Sequence, residues 1–296
     1  MPSQLIINAD DFGLTKGVNR SILELHQSGV LTSATLMATG DAFEDAVALA
    51  RANPTLGIGC HVVLTDGTPA SEPSLIPSLL GPGGRRFRSS LLDFVRALLL
   101  GRIREEEVEH EAKAQMRRIK DAGIILTHAD THKHTHLFPQ VTKPLLRAMQ
   151  LESVYGIRNP FEPAFTQHLG HAALKRRAQV ALLNRFLPAF RRQQQILDRS
   201  ILTTDGTVGV SATGSLNAET LTELLAVLPD HGTFELVCHP GYNDADLDRV
   251  TTRLRSHREI EMQALLSCIP GALLQPNGPT LISFGRLSSL PRQVSL

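Results

Sequence analysis

Short apolar runs recur along this chain, each closing on polar residues and each followed by a stretch of helical periodicity. No other feature limits its folding options so much. Leu5-Ile6-Ile7 reads as a buried strand that ends in Asn8-Ala9-Asp10-Asp11-Phe12-Gly13. Val18, Ile22, Leu25 and His26 then fall at helical spacing, and Gly29 predicts the stop. Ser33 to Ala38 reads as a second strand before a helix over Phe43 to Ala52, and Leu56 to Leu64 as a third strand containing His61. Gly123-Ile124-Ile125-Leu126 reads as a buried strand running into a polar loop. Val154 to Arg158, Thr233 to Cys238 and Leu281 to Phe284 complete the strands. Helices are predicted over Leu91 to Ala122, Val141 to Leu151, Thr220 to Leu228 and Asp246 to Leu266. Sustained alternation with no dividing linker predicts an α/β fold. One domain over residues 1–290 would form a parallel sheet, closed into a TIM-like barrel or an incomplete one.

Two segments interrupt that alternation. A loop rich in Pro and Gly, Thr65 to Arg88, is of the kind that borders a site or carries a lid. Within an insertion-like stretch at about 160–214, His168 to Gln195 is basic and amphipathic. Leu174, Ala178, Leu182 and Phe186 form one stripe, with Lys175, Arg176, Arg177, Arg185, Arg191 and Arg192 elsewhere. A surface helix packed on the barrel is the expectation, kinked at Pro188. Peripheral contact with a lipid surface or an anionic partner is the alternative. The formal net charge of +1 makes no case for nucleic-acid binding. Three scattered cysteines with no Cys-x-x-Cys argue against a disulfide framework or a cysteine zinc site. The N-terminus has no basic region ahead of an apolar core, and no apolar run reaches a membrane span, so a cytoplasmic protein is expected.

Chemistry gathers at the strand ends, where barrels and doubly wound sheets build their sites. The run Thr127-His128-Ala129-Asp130-Thr131-His132-Lys133-His134-Thr135-His136 holds four of the twelve histidines. Adjacent carboxylates at Asp10 and Asp11 can divide duties, one binding a metal and one polarising water, although either also suits a helix N-cap. His61 breaks an apolar strand and alone would read as a hydrogen-bonded core histidine. Taken with the other two strand ends it suggests a facial Asp/His/His set with open positions for water and substrate. His239, ahead of Pro240-Gly241, is a candidate general acid or a turn histidine. Arg158 at another strand end is a candidate for orienting a carboxylate or binding substrate, or an ordinary surface arginine.

Asn8-Ala9-Asp10-Asp11-Phe12-Gly13-Leu14, Gly59-Cys60-His61-Val62-Val63-Leu64, the run from Thr127 to His136, and Cys238-His239-Pro240-Gly241 occur in that order. The ordered set resembles the YdjC-like carbohydrate deacetylase family, which includes chitooligosaccharide deacetylases and deacetylases associated with hopanoid biosynthesis. The resemblance implies a distorted (β/α) barrel, hydrolysis of an N-acetyl group on an amino sugar, and a divalent metal, magnesium or zinc. By position it implies Asp11, His61 and His132 as metal ligands, Asp10 as general base and His239 as acid. His128, Asp130, His134 and His136 would then support the ligands, face substrate or be structural, with His134, His136 and Arg158 the candidates for substrate binding. The stretch from about Arg158 to Gly214 differs from the short sugar-binding segment expected of chitobiose enzymes and points to the hopanoid-associated branch or to a sister of it. Family habit suggests a homodimer. The competing expectations are a catalytically silent metal- or sugar-binding protein and an amidohydrolase-type barrel. The latter would place a His-x-His pair where Asp10-Asp11 stand.

Overall fold

The computed structural model describes residues 2–166, 182–197 and 200–289. Its strands are β1 (Gln4–Phe12), β2 (Ser33–Leu36), β3 (Gly57–Val62), β4 (Leu126–Thr131), β5 (Gly156–Ile157), β6 (Gly206–Val208), β7 (Thr233–Cys238) and β8 (Thr280–Leu281). They form one parallel sheet in the order β5-β4-β3-β2-β1-β7-β6, with β8 paired to the start of β1. A parallel bridge from Gly156 to Leu202 links β5 to the segment entering β6, so the sheet curls almost onto itself. This is the incomplete TIM-like barrel that the alternation predicts.

The helices of the described residues are α1 (Lys16–Gln27), α2 (Phe43–Ala52), α3 (Leu91–Leu99), α4 (Glu105–Asp121), α5 (Pro139–Leu151), α6 (Leu187–Leu197), α7 (Ala218–Ala226), α8 (Ala245–Asp248) and α9 (His257–Leu273). Side chains alternate across a strand. Leu5, Ile7 and Ala9 of β1 therefore join Val18, Ile22 and Leu25 of α1 in the main apolar core. Thr15 caps α1 by accepting the Val18 N–H, and Gly29 leaves the helix at φ +76.

The other face of the strands is polar. Asn8, Asp10, Thr35, His61, His128, Asp130, Arg158 and Glu235 are all buried and hydrogen-bond to one another across the barrel. Glycines make room for the largest rings. A Cβ on Gly59 would lie 2.5 Å from the His128 ring, and one on Gly156 would lie 2.9 Å from His128 Cβ. The N-terminal end of the barrel is plugged by the chain after β8, where Phe284 and Leu287 pack on Ile6.

Several elements depart from their predicted bounds. β4 begins at Leu126 and takes in the first half of the polar run, to Thr131; of the apolar residues before it, Ile124 and Leu126 are buried but Ile125 is 86% exposed. The helical region predicted over Leu91 to Ala122 divides at Gly101, which takes φ +65. The helix predicted over Asp246 to Leu266 divides into α8 and α9. The last strand stops at Leu281, and Phe284 begins a 3-10 helix. Pro188 is the second residue of α6, where a missing N–H costs no helical bond, so it marks a helix start and not a kink. Phe186 packs on Phe138, their ring centroids 5.7 Å apart, at the edge of α5. Leu174, Lys175, Arg176, Arg177 and Ala178 lie outside the described residues.

The loop after β3 is fastened down by α4. Glu111 accepts the N–H groups of Ala70 and Ser71 at 2.8 and 3.0 Å, and Glu107 accepts that of Ser78 at 2.6 Å. Asp66, early in this loop, pairs with Lys133 beside the His-rich segment, so the loop borders the barrel mouth. No helix among the described residues is long and apolar enough to cross a membrane.

Candidate active site

A regular strand would send Asp10 and Asp11 to opposite faces. Here the pairing of β1 with β2 slips between Ala9 and Phe12, and Asp11 takes φ +66. This bulge turns both carboxylates into the C-terminal mouth of the barrel. Asp66, Lys133 and His134 also have positive φ, so among the described residues four of the five non-glycine residues in that region surround the mouth. Such strain persists where surrounding contacts enforce it, and it concentrates at functional sites.

Three donor atoms converge there. Asp11 Oδ1 lies 3.5 Å from His132 Nδ1 and 3.6 Å from His61 Nε2, and the two ring nitrogens are 3.3 Å apart. Corners about 3.4 Å apart suit one ion held at about 2.1 Å in tetrahedral geometry, so the donor set fits a divalent metal. Each donor is held from behind. His61 Nδ1 bonds Asp130 Oδ1 at 2.7 Å, which directs Nε2 into the triangle. Arg258 donates to Asp11 Oδ2 at 2.6 Å, which leaves Oδ1 free to face the histidines. Burial opposes charge on both residues. At Asp11 the Arg258 guanidinium outweighs it and holds the carboxyl well below the usual range. At His61 the carboxylates of Asp130, Asp10 and Asp11 outweigh it and bring the imidazole up to about 9. A field that retains a proton on this ring also favours a metal cation in front of it. The His132 side chain is 22% exposed against 5% for Asp11 and 1% for His61, so the triangle opens to solvent on its side.

Asp10, His61 and Asp130 form a second close group, but its oxygens are already engaged. Arg158 reaches Asp10 Oδ1 at 2.6 Å, Asp130 Oδ2 at 2.5 Å and Glu235 Oε1 at 2.7 Å. Its side chain has no exposed surface, and its guanidinium is taken up by these three carboxylates. Burial would raise Asp10, yet Arg158 overrides it and keeps the carboxyl below its ordinary range, ionised at neutral pH. Burial prevails at Glu235, which rises to about 7 against the opposing pull of Arg158.

His239 leaves β7 with Nε2 3.7 Å from Asp10 Oδ2, and its backbone N–H donates to Glu261 Oε2 at 2.6 Å. Burial pushes its imidazole down to about 4. His136 is buried with Nδ1 on Thr131 Oγ1 at 2.7 Å, and its Nε2 has no hydrogen-bond partner among the described residues. His134 is half-buried beside the mouth, and its Nδ1 has no hydrogen-bond partner among the described residues.

Asp10, Asp11, His61, His132 and His239 thus meet in one mouth from four strand ends. Sequence reasoning missed Arg258, Glu261 and Glu235. The first two look like members of a charged surface helix, and Glu235 is an acid flanked by apolar residues in a short strand. A lone acid or arginine in an apolar context is the signal that was available.

Comparison with known proteins follows the same residues. A family model described as YdjC-like protein matches residues 4–275. A carbohydrate deacetylase of Brevibacillus brevis is 35% identical over 81% of this chain and 82% of its own length. A carbohydrate deacetylase of Geobacillus stearothermophilus is 36% identical over 83% of each. Among solved structures, a candidate cellobiose-phosphate cleavage protein from Enterococcus faecalis superposes with a TM-score of 0.76 at 26% identity, over 97% of this chain and 99% of its own. The family match spans every strand that reaches the mouth, so this chain belongs to the YdjC-like family.

Proposed function

We propose that this protein is a metal-dependent hydrolase that removes the N-acetyl group from an acetylated amino sugar and releases acetate. The observation that carries the reading is the Asp11–His61–His132 triangle beside an ionised Asp10 that faces His239. The relatives named carbohydrate deacetylase supply the substrate class. Asp11, His61 and His132 would hold a divalent ion. Such an ion supplies polarisation of a water and of the acetamide carbonyl. Two imidazoles and one carboxylate suit zinc or a similar first-row ion better than magnesium, which prefers all-oxygen sites.

The chain's own residues account for the proton movements. Asp10 is ionised and Arg158 holds it in place, so it can take a proton from the attacking water. His239 carries no extra proton at rest, because burial disfavours its charged form. Asp10 Oδ2 is the nearest group able to hand it one. An imidazolium so disfavoured gives its proton readily to the departing amine. His134 Nδ1 is a buried polar atom with no hydrogen-bond partner among the described residues, and we assign it to substrate hydrogen bonding.

The test is acetate release from N-acetylglucosamine compounds, including chitobiose and a lipid-linked glycoside. Metal-stripped protein is assayed alone and with zinc, magnesium, manganese or cobalt restored. Metal-dependent release supports the reading. Bound metal with no release from any of them would favour a silent binding protein.

A further inference from the structure

Asp10 makes a contact that neither its arginine nor the metal triangle explains. Asn8 Nδ2 donates to Asp10 Oδ1 at 3.2 Å. An ionised carboxylate only accepts, so the Asn8 amide is oriented with its NH2 towards Asp10 and its oxygen the other way. That oxygen faces His128 Nε2 at 3.1 Å. His128 Nε2 must therefore bear a hydrogen, and in a neutral ring Nδ1 is then an acceptor, 2.8 Å from Thr127 Oγ1, whose single hydrogen also has Ile58 O within reach at 3.1 Å. A one-directional chain of hydrogen bonds results, from His128 through Asn8 to Asp10.

The ring that starts this chain sits in a built slot. His128 is fully buried, and its approach is cleared only because positions 59 and 156 have no Cβ. The exposed face of the slot is closed by Phe284, stacked on the imidazole with centroids 3.8 Å apart and planes 11° apart. Phe284 is itself fixed by its N–H on Ser33 Oγ at 3.1 Å. It lies beyond the residues that the family model matches, in the segment that plugs the barrel.

We infer that His128 is a positioning residue for Asp10, acting through Asn8, and that Phe284 of the C-terminal plug holds it in register. The catalytic consequence rests on the deacetylase reading; the seating of His128 does not. Misplacing a catalytic group by a fraction of an ångström to one ångström costs on the order of tenfold to a hundredfold in turnover.

The discriminating pair is His128→Phe, which fills the slot without a donor, and His128→Gln, which restores an N–H near Nε2. With metal bound, His128→Phe is expected to lose about tenfold in kcat at unchanged KM, and His128→Gln to recover most of it. Phe284→Leu keeps the plug apolar but removes the stacking, and an intermediate loss in kcat is expected. Wild-type turnover in His128→Phe, equal loss in both His128 variants, or a change confined to KM would each overturn the assignment. Long-range 15N NMR of histidine-labelled wild-type protein reads the ring without any assay. The neutral Nε2–H tautomer is required at His128, and an Nδ1–H tautomer would refute the chain of bonds even if no variant folds. Absence of acetate release by the wild type with the expected tautomer present would count against the deacetylase reading and leave the seating intact.

Discussion

Replacing Arg158 with Met tests the polar interior of the barrel most severely. The substitution keeps most of the volume and removes the guanidinium that touches all three of Asp10, Asp130 and Glu235. All four side chains are almost wholly buried, so the carboxylates cannot turn to water. Removing one partner of a buried ion pair typically destabilises by about 3–5 kcal/mol. For a chain of this size that is a fall in Tm on the order of 10 °C. The pH dependence gives the sharper test. Burial raises Asp10 and Asp130, but in the native protein Arg158 overrides it and both stand below their ordinary values. Their ionised forms therefore contribute stability above the ordinary aspartate range, and that contribution is lost as pH falls. Without Arg158 the largest opposition to burial is gone and His61 remains the main group that lowers them, so the folded-state values of both carboxyls rise and the variant loses less stability than the native protein as pH falls. The gap in Tm should be wide at about pH 7.5 and narrow towards about pH 5. Thermal unfolding followed by circular dichroism at both pH values measures it. A gap of less than about 2 °C at the higher pH, or one that widens on acidification, would refute the reasoning.

Three further outcomes are expected. His132→Ala should lose bound metal by elemental analysis and no longer gain in Tm when metal is added, because one corner of the triangle is gone. Gly59→Ala drives a Cβ to within 2.5 Å of the His128 ring, and urea denaturation should reveal a loss of about 1–3 kcal/mol. Glu111→Ala frees the N–H groups of Ala70 and Ser71, so limited proteolysis should open first between residues 65 and 88 at an unchanged overall fold.

The elements read most accurately from sequence are those that obey ordinary hydropathy. The helix Phe43–Ala52 and the strand Thr233–Cys238 match their predicted bounds because one face of each is apolar and the other is not. β4 was misplaced for the opposite reason. Its inward residues are His128 and Asp130, so the strand looks polar, while exposed Ile125 just before it looks like core. The same inversion hid Arg258 and Glu261, which resemble surface charges of a helix until the fold turns that helix onto Asp11 and His239. Arg158 was singled out, but only coordinates show which carboxylates it reaches, since a strand end says nothing of which way a long side chain points. The gathering of Asp10, Asp11, His61, His132 and His239 was legible because strand ends of a parallel sheet share one edge.

The most direct test of the account compares native protein with Asp10→Asn, each stripped of metal and then reloaded, in the acetate-release assay. The account predicts release only by the metal-loaded native protein. Asp10→Asn should bind metal normally and lose turnover by about a hundredfold or more. Full activity in Asp10→Asn, or release that does not depend on metal, would contradict it.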